Sequence, residues 1–249
     1  MKYPPSDSYQ KNLDKYYQYK KARISGSLRY FHRQRLDVIA TMVNNINQKE
    51  SGPYMILDAG CGRGANTIRF AREGIKVIGI DISEEALKQA NRWVNEELLQ
   101  DWVTLVQGDI LALPFKNESF DAIISSDVLS TVSSVDKGID IMAGLLKKGG
   151  VAIIVFPNSI SLFWSSIFVL QKLANVFRMK MPEGNKFDRF CYKDFKSRVI
   201  RSGLKIKGIS SVYVIPMLHL NIYNQIEAKV RSKFPFKYLG SHIIIVAIK

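Results

Sequence analysis

The sequence predicts a doubly wound α/β fold: a mostly parallel, seven-stranded sheet with helices on both faces and an antiparallel last strand. Three observations carry this. Short, uniformly apolar runs recur along the chain and alternate with helix-length segments, the pattern of a parallel sheet buried on both faces. A glycine-rich turn follows the first of these runs directly. No helix-length stretch lies just before the C-terminal run His242–Lys249, so that strand is expected to enter the sheet antiparallel.

Taken in order, residues 1–22 are polar and tyrosine-rich. From about Ser27 to Asn45, Leu28, Phe31, Leu36, Ile39 and Val43 fall at roughly helical spacing. Strand one is YMILDA (54–59), followed by a helix from about Ala65 to Glu73. Strand two is KVIGID (76–81). Ser83 is placed to cap the next helix, with Glu84 and Glu85 in its first turn, where the helix dipole favours negative charge. VTLVQG (103–108) and FDAIISS (120–126) read as strands three and four. A helix spans roughly Val135 to Leu146, and Lys147-Lys148-Gly149-Gly150 ends it before strand five, VAIIVF (151–156). A helix near Tyr192–Ser202 leads to strand six, LKIKGISSV (204–212), and HIIIVAIK (242–249) is the last. The domain is expected over 51–249, with a helical cap over 1–50 and insertions at about 159–190 and 213–240.

With 249 residues, of which 47% are hydrophobic, the chain can build one substantial core. Cys61 and Cys191 form neither a disulfide framework nor a zinc pattern, so a reducing cytoplasm is expected and no metal site. The N-terminus has no apolar stretch after its lysines and is not read as a secretory signal. The net charge is +14, which attracts polyanions such as anionic lipid or nucleic acid. It concentrates between Lys172 and Lys207, where eleven Lys/Arg face Glu183, Asp188 and Asp194.

The chemistry lies in three places. Ile56-Leu57-Asp58-Ala59-Gly60-Cys61-Gly62-Arg63-Gly64-Ala65 closes strand one and opens a helix. Glycines there let the backbone turn tightly and approach a ligand at the carboxyl ends of the strands. By itself this loop also fits a dinucleotide-binding turn, so an NAD(P)-linked oxidoreductase stays open at this point. Asp81 ends strand two, 21 positions after Gly60, where a carboxylate accepts both hydroxyls of a ribose. Asp109 follows strand three, where an acid accepts from the exocyclic amine of adenine while Ile110 packs on the ring. Leu113-Pro114-Phe115, Ser119-Phe120-Asp121 and Leu145-Leu146-Lys147-Lys148-Gly149-Gly150 then follow in order.

Over about residues 54–158 this succession resembles the class I S-adenosylmethionine-dependent methyltransferases, of the small-molecule type that includes the ubiquinone and menaquinone biosynthesis methyltransferases. The resemblance implies S-adenosylmethionine as cofactor. Asp58, Gly60, Cys61, Gly62 and Gly64 would line its methionine moiety, Asp81 its ribose with Ile82 beside the adenine, Asp109 and Ile110 the adenine, and Ser126 the sulfonium or amino-acid end. Relatives often carry a histidine after strand four, where this chain has Asp127-Val128-Leu129-Ser130-Thr131-Val132, with Thr131 in that place. A histidine base is therefore not assumed. His32, His219 and Asp127 remain weak catalytic candidates, and His242 reads as structural.

On the acceptor side, SISLFWSSIFVLQKLANVFRMKM (159–181) is apolar almost all round a helix and ends with Arg178 and Lys180. It reads either as a lid helix packed on the core or as an interfacial helix or tunnel for a lipid-like acceptor at an anionic membrane surface. No residue between Lys148 and Lys172 is charged, but Pro157-Asn158 and four serines argue against a membrane span. RNA is a weaker use of the positive charge, because no RNA-binding module is recognisable. A non-catalytic, cofactor-binding partner subunit is the remaining alternative.

Overall fold

The two buried faces of the sheet follow from central strands that are apolar at consecutive positions, with successive side chains pointing to opposite faces. The structure, a computed structural model, describes residues 35–43, 54–161, 190–212, 229, 233 and 235–249. Residues 35–43 lie in a helix (α1). The further elements are β1 (Met55–Ala59), α2 (Ala65–Ala71), β2 (Lys76–Asp81), α3 (Glu84–Glu96), β3 (Val103–Gln107), β4 (Phe120–Ser126), α4 (Val135–Leu145), β5 (Leu146–Pro157), α5 (Tyr192–Arg201), β6 (Lys205–Val212), a short 3₁₀ turn (Phe236–Tyr238) and β7 (His242–Ile248).

The seven strands are ordered β3-β2-β1-β4-β5-β7-β6. β1 to β5 run parallel to one another, whereas β7 runs antiparallel to both β5 and β6. Chain order reverses between β1 and β4, so a crevice opens above the carboxyl ends of these two strands.

Alternate residues feed two cores. Ile153, Val155, Ile244 and Val246 pack with Val38, Ile39 and Val43 of α1 and Phe70 of α2. Their sequence neighbours Ala152, Ile154, Ile243 and Ile245 pack on the other face with Ile139 and Met142 of α4 and Phe195 and Val199 of α5. Burial on both sides is why these strands read as continuous apolar runs rather than alternating ones. In the second core Phe156 stacks on Phe195 with ring centroids 4.0 Å apart, and Phe190 meets Phe195 edge-on at 5.4 Å.

Local signals held where the chemistry is local. Ser83 Oγ accepts from the Ala86 N–H at 3.2 Å and caps α3, with Glu84 and Glu85 in the first turn. One stretch differs from expectation. Strand five takes in the Lys147–Gly150 segment: Leu146 pairs with Phe120, the register then shifts, and Val151 pairs with Ala122. Gly149 makes this irregularity possible with a φ of 79°, its N–H donating to the Lys249 carbonyl at 3.2 Å. Of the insertions expected at 159–190 and 213–240, only 159–161, 190, 229, 233 and 235–240 are described, and the apolar helix expected over 159–181 lies outside the described residues beyond Ser161. No helix among the described residues is long and apolar enough to cross a membrane.

Candidate cofactor site

At the carboxyl end of β1 the chain turns three times through the left-handed region: Gly60, Gly62 and Gly64 have φ of 79°, 55° and 81°. Only glycine adopts this conformation without steric cost. At Gly60 a side chain is also excluded by space, because its Cβ would lie 2.4 Å from Val128 Cγ2. The N–H groups of Gly60 and Cys61 both donate to the Ile80 carbonyl, at 2.8 and 2.9 Å, which ties the loop to β2. Gly64 then occupies the N-cap of α2, so the loop feeds straight into a helix N-terminus.

Two carboxylates hold this loop. Asp81 Oδ2 accepts from the Gly62 N–H at 2.7 Å and Oδ1 from the Ser83 N–H at 2.9 Å. The residue expected to face a ribose thus caps the turn that follows it, and it also shapes the glycine loop. Asp58 is fully buried. Its Oδ2 accepts from the Thr67 hydroxyl at 2.7 Å and the Thr67 N–H at 3.1 Å, and its Oδ1 from Asn66 Nδ2 at 3.5 Å. Burial pushes its carboxyl up from 3.8 to about 6, against those hydrogen bonds. Its described partners are all within the first turn of α2, so the side chain pins that helix to β1. Cys61 is buried beside both carboxylates, and burial pushes its thiol well above the ordinary range. Gly79 makes room for it: a Cβ there would lie 3.1 Å from Cys61 Sγ and 3.0 Å from Thr67 Oγ1.

Asp109 Oδ1 accepts from the Leu111 N–H at 2.8 Å and closes a local turn after β3. Ile110 is buried in the core shared with Leu57 and Ile80, while Ile82 is half-buried after β2. Ser126 ends β4, and its Oγ is buried with no hydrogen-bond partner among the described residues. A buried hydroxyl left unsatisfied costs about 1–3 kcal/mol, which a polar ligand at this rim would relieve. Asp127 follows, with a φ of 65°; it pairs with Arg35 of α1, and its Oδ1 lies 3.4 Å from His242 Nε2 at the start of β7. His242 Nδ1 lies 2.9 Å from Ser241 Oγ, so both ring nitrogens have neighbours. Sequence reading missed Arg35 altogether, and no local pattern around it could have pointed to Asp127. His32 and His219 lie outside the described residues. Among the described residues, no cluster of His, Cys, Asp and Glu is placed to hold a metal.

Comparison with known proteins bears on this glycine loop: residues 57–154 match the family described as methyltransferase domain. That stretch resembles a methyltransferase domain. Within it lie the glycine loop, Asp81, Asp109 and Ser126. The chain is similar to the demethylmenaquinone methyltransferase of Symbiobacterium thermophilum, 35% identical over 38% of this chain and 39% of that protein. It is also similar to the norajmaline N-methyltransferase of Rauvolfia serpentina, 30% identical over 54% of this chain and 46% of that one. It thus spans less than half the length of these relatives. In fold it resembles the magnesium protoporphyrin IX methyltransferase of Synechocystis, solved with bound S-adenosylhomocysteine, at a TM-score of 0.64 and 22% identity over 91% of this chain and 89% of that one.

Proposed function

We propose that this chain is an S-adenosylmethionine-dependent methyltransferase acting on a small or lipid-like acceptor. The observation that carries the reading is the rim itself: a three-glycine cradle, Asp81 at the end of the adjacent strand, and across the switch point the Ser126 hydroxyl, unpartnered among the described residues. The methyltransferase domain match supports it.

When bound, S-adenosylmethionine supplies a methyl group on an already activated sulfonium. The glycine loop and the α2 N-terminus would receive the methionine end, with Asp58 and Cys61 forming its floor. Asp81 would orient the ribose diol, with Ile82 beside the adenine, Asp109 would accept from the adenine amine with Ile110 behind it, and Ser126 would meet the amino-acid end. The protein's main task is then orientation, since fixing two reactants in line supplies roughly 7–11 kcal/mol of a barrier. No general base is assigned. Residues up to about 50 would cap the rim, with α1 packed beneath it on the sheet.

Titration calorimetry with S-adenosylmethionine and S-adenosylhomocysteine tests the cofactor. Micromolar binding of either is expected, and binding of NADH in their place would refute the reading. Incubation with methyl-labelled S-adenosylmethionine and fractionated cell extract tests the acceptor. Label is expected in the small-molecule or lipid fraction, and label in RNA alone would overturn that part.

The apolar segment 159–181, with Arg178 and Lys180 at its end, supports attachment to an anionic membrane surface. Each large side chain buried in lipid contributes about 1.5–3 kcal/mol, and each nearby cation about 1 kcal/mol. Co-sedimentation with vesicles should rise with anionic lipid content and fall when Trp164 and Phe168 become serine. Wild-type protein left in the supernatant at low salt would retire the idea. Cys61 and Cys191, both free, support a cytoplasmic setting.

A further inference from the structure

Asp127 is an L-residue in the left-handed region, at a φ of 65°, one position beyond the strand end that carries Ser126. Asp and Asn tolerate this conformation better than other residues but do not prefer it. Something must therefore hold it, and the structure shows what does. From one side Arg35 of α1 pairs with Oδ2, and from the other His242 Nε2 lies 3.4 Å from Oδ1. Both clamping side chains are largely buried, with relative exposures of 13% and 9%. Ser241 Oγ, 2.9 Å from Nδ1, orients the imidazole. The backbone is held as well: the Asp127 N–H donates to the Val155 carbonyl at 3.0 Å, and Ser130 Oγ donates to the Asp127 carbonyl at 2.7 Å.

What is gained lies in the next residue. The turn at Asp127 delivers Val128 against the α-carbon of Gly60, where a Cβ would lie 2.4 Å from Cγ2 and 2.6 Å from Val128 Cβ. The first glycine of the cradle is thus pressed between the Ile80 carbonyl, which its N–H reaches at 2.8 Å, and Val128. Relaxing residue 127 to negative φ would redirect the chain on both sides of it. It would lift Val128 from Gly60 and turn the Ser126 carbonyl and hydroxyl.

We propose that Arg35 and His242 are positioning residues for the cofactor rim, clamping Asp127 in the left-handed conformation so that Val128 stays seated on the glycine loop. The inference rests on the cofactor reading above, and it makes the helix at 35–43 part of the machinery that shapes the pocket rather than a passive cover.

The decisive variants exploit glycine, which adopts positive φ without help. Calorimetry with S-adenosylhomocysteine and urea unfolding are measured on wild type, Arg35→Met, His242→Gln, Asp127→Ala, Asp127→Gly and the double variant Arg35→Met/Asp127→Gly. Asp127→Ala should weaken binding about tenfold, because alanine neither engages the clamp nor tolerates the conformation. Asp127→Gly should stay within about threefold of wild type, since it needs no clamp. Arg35→Met and His242→Gln should weaken binding on their own, and Arg35→Met should weaken it less in the Asp127→Gly background than in the wild type. If Asp127→Gly loses as much affinity as Asp127→Ala, the carboxylate acts by touching the ligand and the proposal falls. The unfolding midpoints decide the clamp even if no cofactor binds: Arg35→Met must lower the midpoint of the otherwise wild-type chain by more than it lowers that of Asp127→Gly. Equal effects in both backgrounds would overturn it, whereas absent binding by wild type would overturn the cofactor reading alone.

Discussion

Replacing Asp58 by asparagine tests the energetic cost of the carboxylate beneath the glycine loop. Its carboxyl is raised from 3.8 to about 6 by complete burial, which the Thr67 and Asn66 hydrogen bonds only partly offset. A folded-state value above the unfolded one means that the native state binds the proton more tightly. Stability from this group is therefore fully present below about pH 4 and is lost as pH rises through about 6. Between these values the unfolded chain holds fewer protons than the folded one, so stability falls with pH. The shift is roughly two units, worth about 3 kcal/mol at 1.36 kcal/mol per unit. Asparagine keeps the shape and cannot titrate. Urea unfolding of wild type and Asp58→Asn from pH 4 to 7 isolates the group, because every other titration cancels in the difference. The wild type should lose about 3 kcal/mol relative to the variant across that range. A flat difference would show that burial and hydrogen bonding cancel. A difference of opposite sign, with wild type gaining as pH rises, would show that the Thr67 and Asn66 donors outweigh burial, and would refute the reasoning.

Three further outcomes are expected. Gly60→Ala should destabilise the fold by about 2–4 kcal/mol, from its positive φ and the Val128 overlap, and Val128→Ala in the same chain should restore part of this by thermal unfolding. Asp81→Ala leaves the Gly62 and Ser83 N–H groups without their acceptor, so affinity for S-adenosylhomocysteine should drop by roughly 1–3 kcal/mol in calorimetry, against little change for a surface control such as Lys88→Ala. Phe195→Ala removes a fully buried ring stacked on Phe156 and should cost about 3–5 kcal/mol in urea unfolding, while the affinity of the folded protein for S-adenosylhomocysteine stays as it was.

The sequence by itself determined every feature whose cause lies within a few residues. Uniform apolar runs marked β1, β2, β4, β5 and β7, because strands buried on both faces need no polar side. Ser83 with Glu84 and Glu85 marked the start of α3, because an N-cap bonds within its own first turn. The glycines after β1 were legible as a tight strand-to-helix turn, and the parallel order placed Asp81 beside them. The boundary of β5 was not legible, because Leu146 joins the sheet through a pairing with Phe120 and an irregularity at Gly149, and register is set by the partner strand rather than by local pattern.

Only the tertiary structure decided how the site is held. Asp58 and Asp81 look alike in the sequence, each an acid at the end of an apolar strand. Burial and donors separate them: one lies beneath the loop with a raised pKa, the other joins the loop at the Gly62 N–H to the next turn at the Ser83 N–H. Arg35, Asp127 and His242 belong to a helix, a turn and the start of an inner strand, far apart along the chain. Val128 appeared as one more apolar residue until the fold set it on Gly60. Such contacts join segments by packing across the sheet, and neither the two-residue period of a strand nor the 3.6-residue period of a helix carries any trace of which distant side chain will meet them.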